Sequence, residues 1–312
     1  MKFSVLIPSY KAIYLSEAIE SVLSQIYKDF ELIIVDDASP EDIFSIVNSF
    51  SDDRIRYYRN SHNYGADNLV DNWNKGLQYC NGDYIINMGD DDKMLPNCLS
   101  VYNELITKYP ESSVYHAKTQ IIDEESNVYM VQDSRPERES AYSMIYHQFV
   151  YNRIQYMGDF CISKRWLIEN NGYISFPLAY SSDWATANKA ALHGGIVNGN
   201  EFSFQYRVSR HSISRSQNLK KTVDSLLKAW MWYRDFIMND ENYSANDIYK
   251  ELSKEEVDKY FKNTLRSYIY SDLSRNRFDF VSYRYWIVNC SKYKIRIMSI
   301  MKMIFASVLK II

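Results

Sequence analysis

Gly82-Asp83-Tyr84-Ile85-Ile86-Asn87-Met88-Gly89-Asp90-Asp91-Asp92 is the stretch that decides the fold. Apart from Asn87, residues 84–88 are β-branched, aromatic or apolar, the composition of a strand covered on both faces. Three carboxylates follow at once. Clustered carboxylates repel and resist burial unless a cation or another partner compensates them. A buried strand that ends in acids therefore points to a metal site at the rim of an open α/β sheet, the edge where such sheets bind ligands.

The same design recurs upstream. Residues 3–7 read as a buried strand ended by Pro8, and residues 30–35 as a second one that ends in Asp36-Asp37. Residues 55–58 and 84–88 complete four strands. Between them, residues 14–25, 40–50 and 68–80 carry helical periodicity, with Ser39 as N-cap and Pro40 at the first position of the second helix. Short apolar strands alternating with helices imply a parallel, doubly wound sheet. A helix over 97–108 and a strand over 114–117 follow. Residues 123–139 read as a polar loop or hairpin, 156–162 and 202–208 as strands, and 163–170 and 183–193 as helices. Beyond about Ser216 the pattern is helical: 218–238 has helical spacing, and Ser253 with Glu255-Glu256 reads as a helix start.

The bulk numbers set limits. A chain of 312 residues with 46% hydrophobic composition has material for one large domain and an appendage. A net charge of -3 gives no reason to expect a nucleic-acid partner. The four cysteines lack metal-ligand or disulfide-framework spacing and read as free thiols of a reducing compartment. The apolar run at the N-terminus is too short for a signal peptide, and no uncharged stretch reaches membrane-spanning length. A cytoplasmic protein is expected. From Val281 onward there is no Asp or Glu, while Arg284, Lys292, Lys294, Arg296, Lys302 and Lys310 alternate with apolar residues. Such a basic amphipathic segment suits the anionic inner face of the cell membrane.

Three strand ends thus carry polar groups to one edge: Pro8-Ser9-Tyr10, Asp36-Asp37-Ala38-Ser39 and Asp90-Asp91-Asp92. Together, with Leu95-Pro96 at its spacing from the aspartates, they resemble the family-2 glycosyltransferases of the GT-A fold. The resemblance implies a doubly wound mixed sheet flanked by helices, with a transferase domain over 1–217 and a helical region over 218–312. It also implies a UDP-sugar donor, Mn²⁺ or Mg²⁺, and an inverting transfer of a hexose, galactose or glucose, to a glycan or lipid-linked acceptor. A hard cation held by one or two carboxylates neutralises a departing diphosphate.

By that resemblance Asp91 and Asp92 are the metal ligands, Asp91 foremost, with Asp90 and Asp92 sharing contact to the ribose. Pro8 and Tyr10 meet the nucleotide, the Tyr10 ring stacking on uracil. Asp37 binds the base, with Asp36 as the adjacent candidate, and Asn63 belongs to the next nucleotide-binding stretch. Asp183 matches an acidic residue that opens a helix and is the general base. Arg207 and Arg210 suit the diphosphate through their planar forks, and His211 completes the metal shell. The chain departs from the pattern at Gly89, Ser182 and Trp73, where the family commonly has two acids and an arginine. Those departures define a competing expectation, a nucleotide-sugar-binding relative without catalysis. A dinucleotide oxidoreductase is excluded because Pro8-Ser9-Tyr10-Lys11 has no glycine fingerprint after the first strand.

Overall fold

The structure is a computed structural model that describes residues 1–210, 218–239 and 247–309. The first third is β1 (Phe3–Ser9), α1 (Leu15–Leu23), β2 (Phe30–Asp36), α2 (Ile43–Asn48), β3 (Ile55–Arg59), α3 (Leu69–Leu77), β4 (Tyr84–Asn87), β5 (Lys93–Met94) and α4 (Cys98–Lys108). The middle is β6 (Val114–Ile122), β7 (Val128–Val131), β8 (Arg138–Glu139), α5 (Ala141–Val150), β9 (Phe160–Ser163), α6 (Lys164–Glu169), α7 (Ser182–Ala190) and β10 (Ile196–Arg207). Four helices close the chain: α8 (Leu219–Met238), α9 (Ile248–Arg275), α10 (Phe280–Val288) and α11 (Ile297–Leu309).

One mixed sheet runs in the order β3-β2-β1-β4-β9-β6-β10-β5, with β7 on β6 and β8 on β10. The pairs β3–β2, β2–β1 and β1–β4 are parallel, as the alternation of strands and helices requires. The all-parallel expectation ends at β9, which runs antiparallel to both β4 and β6. The pleat of β1 divides the core. Phe3, Val5 and Ile7 face α1, α2 and α4, while Leu6 faces α3 and α7.

Three local readings are corrected by packing. The second helix starts at Ile43, because Asp42 caps it by accepting from the Ser45 N–H at 3.1 Å. The Ser39 hydroxyl instead donates to the Tyr10 carbonyl at 2.6 Å, tying the β2 loop to the β1 loop. Ser253 lies buried inside α9, which Asp247 caps from its own side chain. Residues 141–150, given no helix by sequence, form α5 with Ser140 as cap. That helix contributes Tyr142, Ile145 and Phe149 to a core with Trp230, Phe261, Trp286 and other residues of the last four helices. Packing therefore crosses position 218. Two tryptophans in this core keep their indole N–H groups satisfied: Trp230 on Asp258 and Trp286 on Asp272, both at 2.7 Å.

Candidate active site

The parallel strands β1, β2 and β4 end side by side, and a cavity of about 650 Å³ lies at their tips. Pro8, Tyr10, Asp37, Asn63, Asp90, Asp91, Asp92, Asp183 and Arg210 all line it.

Asp37 follows β2 and is followed by Ala38 in the left-handed region (φ 50°), so the chain turns sharply there. The Asp37 carboxylate accepts from Asn60 Nδ2 at 2.9 Å and from the backbone N–H groups of Tyr64 and Gly65. Asn63 donates to the Asp37 carbonyl at 2.9 Å. One aspartate thus shapes the 60–65 loop that forms a wall of the cavity. Tyr10 is 37% exposed at the cavity, its carbonyl held by Ser39, and its ring is available as a platform.

Each acid of the cluster after β4 is held differently. Asp90 Oδ2 accepts from the N–H groups of Tyr10 (2.8 Å) and Lys11 (2.9 Å) and from Ser9 Oγ (3.3 Å). Asp90 therefore fixes the β1 loop. Asp92 Oδ1 accepts from the Arg207 N–H at 3.0 Å and Oδ2 from the Gly89 N–H at 3.3 Å. The Asp91 carboxylate makes no hydrogen bond to another residue among those described. Burial and then the charge of Asp90 raise its pKa to about 6. Asp92 is raised well above the carboxylate range by burial and then by Asp91.

Gly89 explains the approach of the two acids. A Cβ there would stand 2.8 Å from Asp91 Oδ1 and 3.1 Å from Asp92 Oδ2. One oxygen of each carboxylate thus faces the same glycine, where a side chain would stand between the acids and a hard cation. No group of three or more His, Cys, Asp or Glu positioned to hold an ion occurs among the described residues. A cation here would draw its remaining ligands from water and substrate oxygens, the usual arrangement for Mg²⁺ with phosphates. His211 lies outside the described residues.

Asp183 stands in the first turn of α7, after an unusual approach. Leu178, Ala179 and Ser181 all have positive φ (58°, 52° and 64°), which non-glycine residues adopt at a cost. This cramped turn carries Asp183 to the cavity. Burial, above all, pushes its carboxyl up to about 7, and the charge of Asp159 adds to that. Ser182, where the family commonly has an acid, uses its Oγ to accept from the Phe176 N–H at 3.0 Å. It is part of the turn.

Two predicted nucleotide contacts do not line the cavity. Asp36 is fully buried and accepts from the Ser39 N–H at 2.8 Å, from Tyr57 Oη at 2.6 Å and from Arg59. Strand alternation points it away from the side of Asp37. The Arg207 guanidinium is also sealed in. Its nitrogens donate to the carbonyls of Asp91 (2.8 Å), Asp123 and Glu124 (both 3.1 Å) and to Glu17 Oε2 (2.9 Å), and it lies 4.2 Å over the Tyr14 ring. With every nitrogen engaged, it braces the acidic loop from behind. Arg210, paired with Glu124 but 81% exposed, remains the arginine at the cavity.

Several lining residues carry no site role in the sequence reading. Lys11 adjoins Tyr10 and puts a cation beside the acids. Tyr156 and Tyr206 stack at 3.6 Å between ring centroids, a pairing between distant segments that carries no local signal. Trp73 also lines the cavity, packed edge-on to Tyr173.

The sequence profile described as glycosyl transferase family 2 matches residues 4–171, more than half of the chain. The chain belongs to that family. Among curated relatives, the Campylobacter jejuni GalNAc(5)-diNAcBac-PP-undecaprenol beta-1,3-glucosyltransferase is 33% identical over 130 residues, 41% of this chain and 40% of that protein. The Escherichia coli UDP-Glc:alpha-D-GlcNAc-diphosphoundecaprenol beta-1,3-glucosyltransferase WfgD is 28% identical over 248 residues, 76% of this chain and 87% of that protein. The chain spans 40% or less of the length of several other curated relatives and of the Campylobacter one. The solved structure of S. aureus TarS 1-349 in complex with UDP-GlcNAc superposes with a TM-score of 0.69 at 16% identity, covering 98% of this chain and 91% of that one. The GT-A fold of this family-2 member, with its mixed sheet and C-terminal helices, agrees with that likeness.

Proposed function

We propose that this protein is an inverting hexosyltransferase that moves glucose or galactose from a UDP-sugar to a lipid-linked saccharide, with a divalent metal and Asp183 as general base. The observation that carries this reading is one cavity whose lining holds Tyr10, Asp37, Asp91, Asp92 and Asp183 together. The names of the two relatives support a lipid-linked acceptor and favour glucose.

In this reading uracil stacks on the Tyr10 ring and the base is recognised at Asp37. Asp91 and Asp92 hold Mn²⁺ or Mg²⁺, which when bound neutralises charge on the diphosphate. Lys11 and Arg210 add positive charge on the same side. Asp183 accepts the proton of the acceptor hydroxyl, and that oxygen attacks the anomeric carbon on the face opposite the leaving UDP. A carboxylate raised to about 7 suits the task, since a base is most effective when its pKa lies near the working pH.

The test is UDP release measured with Mn²⁺ over a panel of UDP-sugars. Asp183→Asn is expected to lose turnover and keep UDP affinity. A wild-type protein that binds UDP tightly but turns over no donor would instead be a nucleotide-sugar-binding relative without catalysis.

The same reading sets the protein on the inner face of the cell membrane. None of the described helices is long and apolar enough to cross a membrane. Phe280, Val281, Met298 and Phe305 are nonetheless 65–80% exposed on α10 and α11, in a segment without acids after residue 281. Apolar side chains among cations suit an anionic lipid surface. The double variant Met298→Glu, Phe305→Glu is expected to lose co-sedimentation with anionic vesicles; unchanged binding would refute this role.

A further inference from the structure

A second cavity, of about 340 Å³, adjoins the first and shares Tyr156 and Asp183 with it. Its volume is near the lower bound of small-molecule sites, roughly 300–1,000 Å³. Asp183 is the only carboxylate among its lining residues, so a hydroxyl bound in it has one base to meet.

The rest of the lining is aromatic and amide. Tyr180, Trp184 and Tyr260 contribute rings, and Gln148 and Gln155 contribute amides. The Trp184 indole N–H donates to the Gln155 carbonyl at 3.0 Å, which fixes the ring. Gln148 is 2% exposed, and its Oε1 accepts from Gln155 Nε2 at 3.0 Å and from Asn188 Nδ2 at 3.3 Å. Its Nε2 is itself buried, so the Gln148–Gln155–Asn188 amides act as a wall of the cavity. Arg153 is the one cation in the lining, and a single nitrogen spans both Glu139 oxygens at 2.7 and 2.8 Å. Its charge is matched by Glu139, so the lining offers no unpaired cation to an acidic ligand.

Flat rings match the C–H faces of a pyranose, and a lining without an unpaired cation favours a neutral sugar over an acidic one. We propose that this second cavity holds the terminal neutral hexose or N-acetylhexosamine of the acceptor, with Tyr260 as a specificity-determining residue. The proposal rests on the transferase reading and deepens it. Tyr260 comes from α9, outside residues 4–171 that match the family profile. Acceptor choice is thereby assigned to the C-terminal helices, and donor binding to the strand ends.

The experiment is saturation-transfer NMR on the full chain with UDP and diamagnetic Mg²⁺. The probes are the p-nitrophenyl glycosides of glucose, galactose, N-acetylglucosamine and N-acetylgalactosamine. UDP affinity is measured in parallel. The wild-type protein is expected to bind at least one glycoside. Tyr260→Ala is expected to weaken that binding at least tenfold with UDP affinity unchanged, and Tyr260→Phe, which keeps the ring, to restore most of it. Equal glycoside binding by wild type and Tyr260→Ala would overturn the proposal, as would no glycoside bound by a protein that binds UDP. Failure to bind UDP at all would instead sink the transferase reading.

Discussion

On one wall of the main cavity, Asp37, Asp90 and Asp92 are fixed by backbone N–H groups of neighbouring loops. On another, Asp183 is carried in by a left-handed turn at the start of a helix, and its pKa is set by burial. The first wall is built by strand termini and their loops, whose polar residues are spoken for. The second depends on segments far apart in the chain, with α7 in contact with α8. The comparison teaches that backbone donors orient most of the acids at the rim, whereas Asp91 makes no hydrogen bond to another described residue and Asp183 is held by burial at a helix start.

Asp183→Asn gives the sharpest break of this comparison. Turnover should fall by about 10²–10⁴ with UDP affinity kept, the usual contribution of a general base. Comparable rates in a single-turnover assay would remove Asp183 from that role. Asp91→Asn should cost about 10²-fold or more and leave the fold intact, because Asp91 makes no hydrogen bond to another described residue. Asp92→Asn should also lower turnover but leave the melting temperature near that of wild type, because the lost oxygen that accepts a backbone N–H is offset by relief of a buried charge.

The two arginines offer a second contrast. Arg207→Met removes a buried cation that braces the acidic loop and should destabilise the protein by about 3–5 kcal/mol in denaturant titration. Arg210→Ala, at an exposed ion pair, should change stability by less than about 1 kcal/mol while raising the donor KM. Equal stability effects would show that Arg207 is not the brace.

Smaller effects follow for pH. With a folded pKa of about 7, Asp183 is a competent base only when ionised, so kcat/KM should fall as pH drops below about 7. The stability sign is opposite. A carboxyl raised above its unfolded value binds more protons folded, so it contributes instability as pH rises from about 4 to 7. Asp183→Asn should therefore melt higher than wild type at pH 8, on the order of 2–4 °C, and lose that advantage near pH 4. A lower melting temperature at pH 8 would mean that the carboxylate is needed for the helix start.

Much of the first wall was legible because each strand is a short apolar run and its polar end is adjacent in sequence. Tyr10, Asp37 and Asp91 could be read from such local pattern and family resemblance. Only the resemblance favoured Asp37 over Asp36, because successive side chains on a strand point to opposite sides and the direction of each depends on the neighbouring sheet. Arg207 looked like a phosphate ligand for a similar reason: its residue type suits the role, and only packing against Tyr14 and Glu17 removes it. Helix α5 was missed because its apolar residues pack against α9, so its burial is set by helices a hundred residues later.

The sequence alone determined the alternating strands, the acids at their tips and the family, because those follow from hydrophobic pattern over a few residues. Tertiary structure decided which acids are free and where the second cavity lies. A carboxylate becomes reactive or merely structural according to the donors and the burial around it, and these come from segments the chain brings together only by folding.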